Sequence, residues 1–165
     1  MTQRESVPVQ AIIQARMGST RLPGKVLKLL AGTPVLGHVI RRARAASQVQ
    51  RVLVATTDLP EDLPIVAYCE EQGLPVVRGS ATDVLGRFAL GLNEWPCRLV
   101  MRLTADCPLL DPGVLDLLVR FHEEGGYDYS ANVNPPTFPH GLDAEITGSH
   151  LLMAVHQEAI LKSHL

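Results

Sequence analysis

Aromatic residues are scarce in this 165-residue chain, 4% with a single tryptophan, so it has no series of rings on which the bases of a nucleic-acid strand could stack. Cysteine is nearly as rare. Cys69, Cys97 and Cys107 are odd in number, widely spaced and free of any CxxC pair, which argues against a disulfide framework or a zinc site and for a reducing, cytoplasmic setting. Charge of one sign is also missing. A net charge of -2 gives no basic field for nucleic acid or an anionic membrane, so neither is expected as a partner and any anion must be met locally. No apolar run approaches the roughly 18 residues that span a bilayer, and MTQRESVPVQ lacks the apolar core of a signal peptide. The six histidines form no HxxxH or HExxH arrangement.

What remains is an aliphatic-rich chain of about one domain's length, residues 1–165, in which short apolar runs alternate with longer segments of helical period. VQAIIQA, RVLVATT, PVVRG, RLVMRL and YDYSANV read as strands; VLGHVIRRARAA, LPIVAYCEEQG, DVLGRFALGLN and PGVLDLLVRFHEEG read as helices. Strands that are apolar throughout belong where helices cover both faces, so the expected fold is α/β, a Rossmann-like and mainly parallel sheet. Asp111 before Pro112 and the pair Gly125-Gly126 mark the ends of one helix. Trp95-Pro96 reads as a loop, and Arg41, Arg42 and Arg44 as the solvated face of a helix.

Open α/β sheets bind ligands beyond the carboxyl ends of their strands. The strand ends expected there are Ala15-Arg16, Thr56-Thr57-Asp58, Arg78-Gly79-Ser80, Thr104-Ala105-Asp106 and Asn132, with a cation at the start and a carboxylate in the middle. After the first strand, Arg16, Arg21 and Lys25 surround Gly18, Ser19, Thr20 and Gly24. Backbone N–H groups, hydroxyls and cations on one loop suit a polyphosphate, although neither GxxxxGK[ST] nor GxGxxG is present. In RLTADCPLLDP, Asp106 at a strand end is either a ligand for Mg²⁺ lying between carboxylate and phosphates or a turn carboxylate capping the backbone near Cys107; Cys107 itself reads as a packing residue. In TFPHGLDAEIT, Asp143 and Glu145 alternate along an expected strand and share one face, as part of a metal site or as a solvated edge. His140 beside them is a loop contact or an acceptor contact.

Taken together, "IIQARMGSTRLPGKVL", "VATTD", "VVRGSATDVLGRF", "RLTADCPLLDP" and "FPHGLDAEI" resemble the cytidylyltransferase-like branch of the nucleotide-sugar synthetases. That branch contains the acylneuraminate and 3-deoxy-manno-octulosonate cytidylyltransferases, and the resemblance is nearest to the spore-coat polysaccharide biosynthesis protein F type. The resemblance implies a sheet of the nucleotide-diphospho-sugar transferase type. It also implies Mg²⁺-dependent transfer of CMP from CTP to a sugar or sugar acid for surface polysaccharide or glycan biosynthesis, with release of pyrophosphate. By it, Ala15, Arg16, Met17, Gly18, Ser19, Thr20, Arg21 and Lys25 hold the nucleotide, with Arg21 and Lys25 on the phosphates. Thr57, Arg78, Ser80, Asp83 and Thr104 complete that pocket. Arg21, Lys25 and Asp106 are the catalytic set, Asp106 and Asp143 the metal ligands, and His140 and Glu145 the acceptor side; a homodimer is among the assemblies it allows.

Proteins of that type continue well past the position of Leu165, so a chain truncated at its C-terminal end is expected. GSATDVLGRF replaces the GTDR-like signature of the acylneuraminate and octulosonate enzymes, so their particular acceptors do not carry over. Two other readings stand beside this one. A GT-A-like glycosyltransferase should carry a DxD pair where Asp106 precedes Cys107-Pro108, and a non-catalytic fragment would bind nucleotide without releasing pyrophosphate.

Overall fold

The computed structural model describes residues 7–19 and 21–163; Thr20, expected on the phosphate loop, lies outside the described residues. Its strands are β1 Val7–Gln14, β2 Leu29–Leu30, β3 Thr33–Pro34, β4 Arg51–Thr57, β5 Val76–Gly79, β6 Cys97–Thr104, β7 Tyr129–Ala131 and β8 Glu145–Gly148. The α-helices are α1 Val35–Ala45, α2 Leu63–Glu71, α3 Val84–Glu94, α4 Pro112–Gly125 and α5 Ser149–Ser163. Six strands form one sheet in the order β5-β4-β1-β6-β8-β7. The first four are parallel, and β8 runs antiparallel to both β6 and β7.

The apolar strands bury both faces because helices lie on each. Ala11 and Ile13 of β1 pack with Leu36, Val54, Ile65, Met101 and Leu115, under α1, α2 and α4. Ile12 points the other way, onto Leu53, Phe88, Leu92 and Val100 under α3, with Leu152 of α5 alongside. Each buried Ile, Leu, Val, Phe or Met among them contributes about 1.5–3 kcal/mol relative to exposure. Trp95, expected in a loop, closes α3 from inside this second layer, 7% exposed.

Helix ends follow the sequence where the capping signals are strong. Asp111 accepts from Gly113 N at 2.7 Å and Val114 N at 3.3 Å, Pro112 opens α4, and Gly126 ends it at φ 60°. Arg41 and Arg44 are solvated as expected, but Arg42 is half-buried and donates to Leu110 O at 3.2 Å, tying α1 to the turn before α4. Among the described residues no helix is long and apolar enough to cross a membrane.

One strand is shorter than expected. The segment 137–147 becomes β8 only from Glu145, and Asp143 precedes the ladder. Gly141 turns the chain at φ 99°, and the Asn132 amide takes the backbone of this segment, donating to Leu142 O at 2.7 Å and accepting from Ala144 N at 2.8 Å. A side chain thus does there what a strand would. Asp143 and Glu145 therefore do not share a strand face, and β8 lies inside the sheet between β6 and β7.

From β1 the chain moves outward to β4 and β5, then returns to the other side of β1 as β6. The order reverses between the carboxyl ends of β1 and β6, where a crevice must open because the following segments leave in opposite directions.

Candidate active site

Gln14 and Thr104 are register partners at the last step of β1 and β6, so the segments 15–25 and 105–111 leave the sheet side by side. The first is held from below by a buried carboxylate. Asp62, 1% exposed, accepts from Met17 N at 2.6 Å through one oxygen and from the Thr57 hydroxyl through the other. A buried charge needs such partners to offset its desolvation, and the same bonds fix where the loop turns. Gly24 N donates to Met17 O at 2.9 Å, and Gly24 sits at φ 67°, a conformation glycine takes without steric cost. The loop then enters a 3₁₀ turn, Lys25–Leu27.

Between these segments lies a cleft of about 260 Å³. Arg16, Ser19, Arg21 and Lys25 from the loop after β1, Gln14 from the end of β1, and Arg102, Thr104 and Asp106 from β6 and the turn after it line the cleft. Lys25 Nζ makes an ion pair with Asp106 Oδ2 across it, the side chains 30% and 39% exposed. Burial pushes the Asp106 carboxyl up, but the bonds from Lys25 and Thr104, together with the Lys25 charge, outweigh it and hold the group below its ordinary 3.8. Arg16 and Arg21 line the cleft with no carboxylate paired to them among the described residues, so the cleft presents uncompensated positive charge to an anion.

The structure brings Arg16, Gly18, Ser19, Arg21, Lys25, Thr104 and Asp106 together, as the sequence led one to expect; Ala15 and Met17 carry the backbone of the same loop. It does not bring Thr57, Arg78, Ser80 or Asp83 to the cleft wall. Thr57 is buried on Asp62. Arg78 donates to the carbonyls of Thr57 at 3.3 Å and Asp58 at 2.8 Å. The Ser80 carbonyl accepts from Arg87, and Asp83 caps α3 through Gly86 N at 2.7 Å.

His140 is 99% exposed and lies 3.3 Å from Asp143. Asp143 stands near enough to Cys107 that its charge, with that of Asp106, adds to burial in raising the thiol's pKa. Cys107 is half-buried, its sulfur 3.2 Å from Thr104 Oγ1. Among the described residues no group of three or more His, Cys, Asp or Glu could hold a metal unaided. Asp106 is the carboxylate that lines the cleft, and a single carboxylate fits Mg²⁺, which takes one or two and completes its shell with phosphate oxygens and water.

Asp62, Gln14, Arg87 and Arg102 were not legible as site residues. Arg102 and Gln14 left a trace, each a polar residue near the end of an apolar strand. Arg87 is 1% exposed and donates to the Ser80 carbonyl; burial and then the nearby Arg16 charge lower its pKa.

The chain matches the cytidylyltransferase family model over residues 10–162. It is 38% identical over 148 residues to the spore coat polysaccharide biosynthesis protein of Bacillus subtilis strain 168, an alignment covering 87% of this chain and 60% of that protein. It is 37% identical over 131 residues to a 3-deoxy-manno-octulosonate cytidylyltransferase of Anaeromyxobacter sp. strain Fw109-5, covering 77% of this chain and 51% of the other. Among solved structures, a cytidylyltransferase of Leptospira borgpetersenii serovar Hardjo-bovis superimposes with TM-score 0.84 at 35% identity, covering 92% of this chain and 64% of that one. The chain thus spans between about half and two thirds of the length of these three relatives.

Proposed function

Because the chain belongs to the cytidylyltransferase family, we propose that it transfers CMP from CTP to a sugar or sugar-acid acceptor, activating it for surface polysaccharide or glycan assembly in the cytoplasm. The observation that carries this is the pairing, across the β1–β6 crevice, of a wall bearing Arg16, Arg21 and Lys25 with a wall bearing Asp106.

In the reaction an acceptor oxygen forms a bond to the α-phosphorus of CTP. The bond from that phosphorus to the bridging oxygen breaks, pyrophosphate leaves with the electron pair, and the acceptor's hydroxyl proton passes to solvent. Little covalent chemistry falls to the protein. Its part is alignment, and neutralisation of the charge that grows on pyrophosphate. Lys25 and Arg21 stand on the wall where that charge would develop, and backbone N–H groups around Gly18 and Ser19 can approach the phosphates closely. Asp106, with Asp143 as a second carboxylate, would hold Mg²⁺, which when bound supplies positive charge to the phosphate oxygens. Lys25 then leaves Asp106 for the triphosphate.

Calorimetric titration with CTP, UTP, ATP, GTP and UDP-glucose, each with and without Mg²⁺, tests the proposal. Mg²⁺-dependent binding that favours CTP is expected. Preference for UDP-glucose would move the assignment to a glycosyltransferase, and no nucleotide binding would remove the assignment of this cleft.

A further inference from the structure

Strand β6 is fixed on both flanks as far as Thr104. Gln14 and Thr104 are register partners, and on the other side Arg102 forms an ion pair with Glu145 of β8. The turn that carries Asp106 lies beyond both ladders. Ala105 N donates to Gln14 O at 3.1 Å and holds the turn at its start. Further on, Pro108 has no N–H to give, and Leu109 is 70% exposed. The far end is Leu110, whose side chain is buried and whose N–H donates to Cys107 O at 3.1 Å.

What ties Leu110 to the rest of the protein, besides its packing, is a side chain from another element. The first carbonyl of the α4 ladder is Asp111 O, which accepts from Val114 N and Leu115 N, so Leu110 O falls outside the helix. Arg42 of α1 supplies its donor, Nη1 at 3.2 Å. The same guanidinium keeps Nε buried without a hydrogen-bond partner, and a buried donor left unpaired costs about 1–3 kcal/mol. Packing alone would favour an apolar side chain there. α1 is also tied to the opposite side of the cleft: Val35 N donates to Lys28 O at 3.0 Å, one residue past the 3₁₀ turn that begins at Lys25. Val26, Leu36, Ala105 and Leu110 share one core beneath the two segments. Arg42 thus fixes the Asp106 turn against the element that follows Lys25.

We propose, building on the cytidylyltransferase reading, that Arg42 is a positioning residue for the reaction, which by holding Leu110 O sets where the turn presents Asp106 to Mg²⁺. Arg42 does not line the cleft; it acts through the turn 106–110. Mg²⁺ demands near-ideal octahedral geometry, so it is sensitive to a carboxylate that drifts. CTP held by the loop after β1 is much less so, because that loop has its own supports in Asp62 and Gly24.

The test is calorimetric titration of CTP into wild type, Arg42→Met and Arg42→Lys, each with and without Mg²⁺, with folding checked by circular dichroism. In Arg42→Met, which keeps an apolar stem and cannot donate, CTP affinity without Mg²⁺ should stay near that of the wild type. The factor by which Mg²⁺ tightens CTP should fall about 10-fold, the usual scale for losing a group that orients a metal ligand. Arg42→Lys, able to donate to the same carbonyl, should restore most of that factor. A structural role alone would lower CTP affinity equally with and without Mg²⁺; that result, an unchanged Mg²⁺ factor in Arg42→Met, or a lysine variant as weak as the methionine one would each overturn the proposal. Arg42→Gln, polar but two bonds too short to reach the carbonyl, carries the same expectation if Arg42→Met does not fold. If neither folds, Arg42 serves the stability of the core and the proposal falls. Absence of Mg²⁺-dependent CTP binding in the wild type would overturn the cytidylyltransferase reading, and this proposal with it.

Discussion

Two loops in this molecule begin alike and end differently. Each leaves the carboxyl end of a parallel strand, and each carries arginine, serine and glycine: residues 15–25 after β1, and 78–83 around the end of β5. In the first, Asp62 and Gly24 hold the backbone from below, and the cationic side chains are left facing a cleft. In the second, the side chains themselves hold the backbone: Arg78 on two carbonyls, Asp83 on a helix N-terminus, Ser80 in contact with Thr82. A polar loop is available for a ligand only when something else fixes its conformation. Composition alone does not distinguish the two.

The two loops should differ most in their response to substitution at Lys25 and Asp106, the ion pair across the cleft. Lys25→Ala or Asp106→Ala should each lower the rate of pyrophosphate release by about 10²–10³ while leaving the circular dichroism spectrum unchanged; wild-type turnover in either would take that residue out of the reaction. Next in size is Asp62→Ala, which strands Met17 N and the buried Thr57 hydroxyl. Urea unfolding should show a loss of about 2–3 kcal/mol, and CTP titration a weakened complex although Asp62 lies outside the cleft lining. Asp83→Ala should cost only about 1 kcal/mol, the usual value of a lost cap, and Arg78→Ala should leave CTP affinity near that of the wild type. If either of these weakened CTP as much as Lys25→Ala, the second loop would be part of the nucleotide site after all.

The pH dependence refines the same contrast. Asp106 titrates lower in the folded chain than its ordinary 3.8, so its favourable interactions are fully present above that value and are lost as pH falls through the folded pKa. The stability difference between wild type and Asp106→Asn should stay flat across neutral and mildly acidic pH and change only below about pH 4. Smallest of all is a thiol effect. Burial pushes Cys69 and Cys97 up to about 12, so a maleimide at mildly alkaline pH should label half-buried Cys107 first; prior labelling of Cys69 or Cys97 would contradict the packing of the layers around them.

The α/β rhythm, the two-sided burial of β1, β4 and β6 and the cap at Asp111 were all legible, because they depend on periods and capping residues that act within a few positions. The loop from Arg16 to Lys25 was legible for a related reason, as its chemistry is contiguous in the chain. What was hidden depends on register. Asp62 sits in the short turn Pro60–Asp62, and nothing local distinguishes its carboxylate from the exposed Glu61 beside it. The Arg102–Glu145 pair joins residues far apart in the chain and exists only because β8 runs back along β6. The expected alternation of Asp143 with Glu145 failed because Asn132, earlier in the chain, supplies the bonds that a ladder would have made. In each case the deciding partner is distant in sequence.

The bridge between Lys25 and Asp106 has a thermodynamic consequence of its own. On the proposed reading, each of the two must release the other before it meets its ligand, so whichever ligand arrives first meets the expense of parting them and the second does not. Divalent cation and triphosphate should then promote each other's uptake, and by linkage the factor by which the first tightens the second must equal the factor by which the second tightens the first. In Lys25→Met, where no bridge has to open, this share of the mutual promotion is absent, and the bare cation should bind the protein more readily than it binds the wild type.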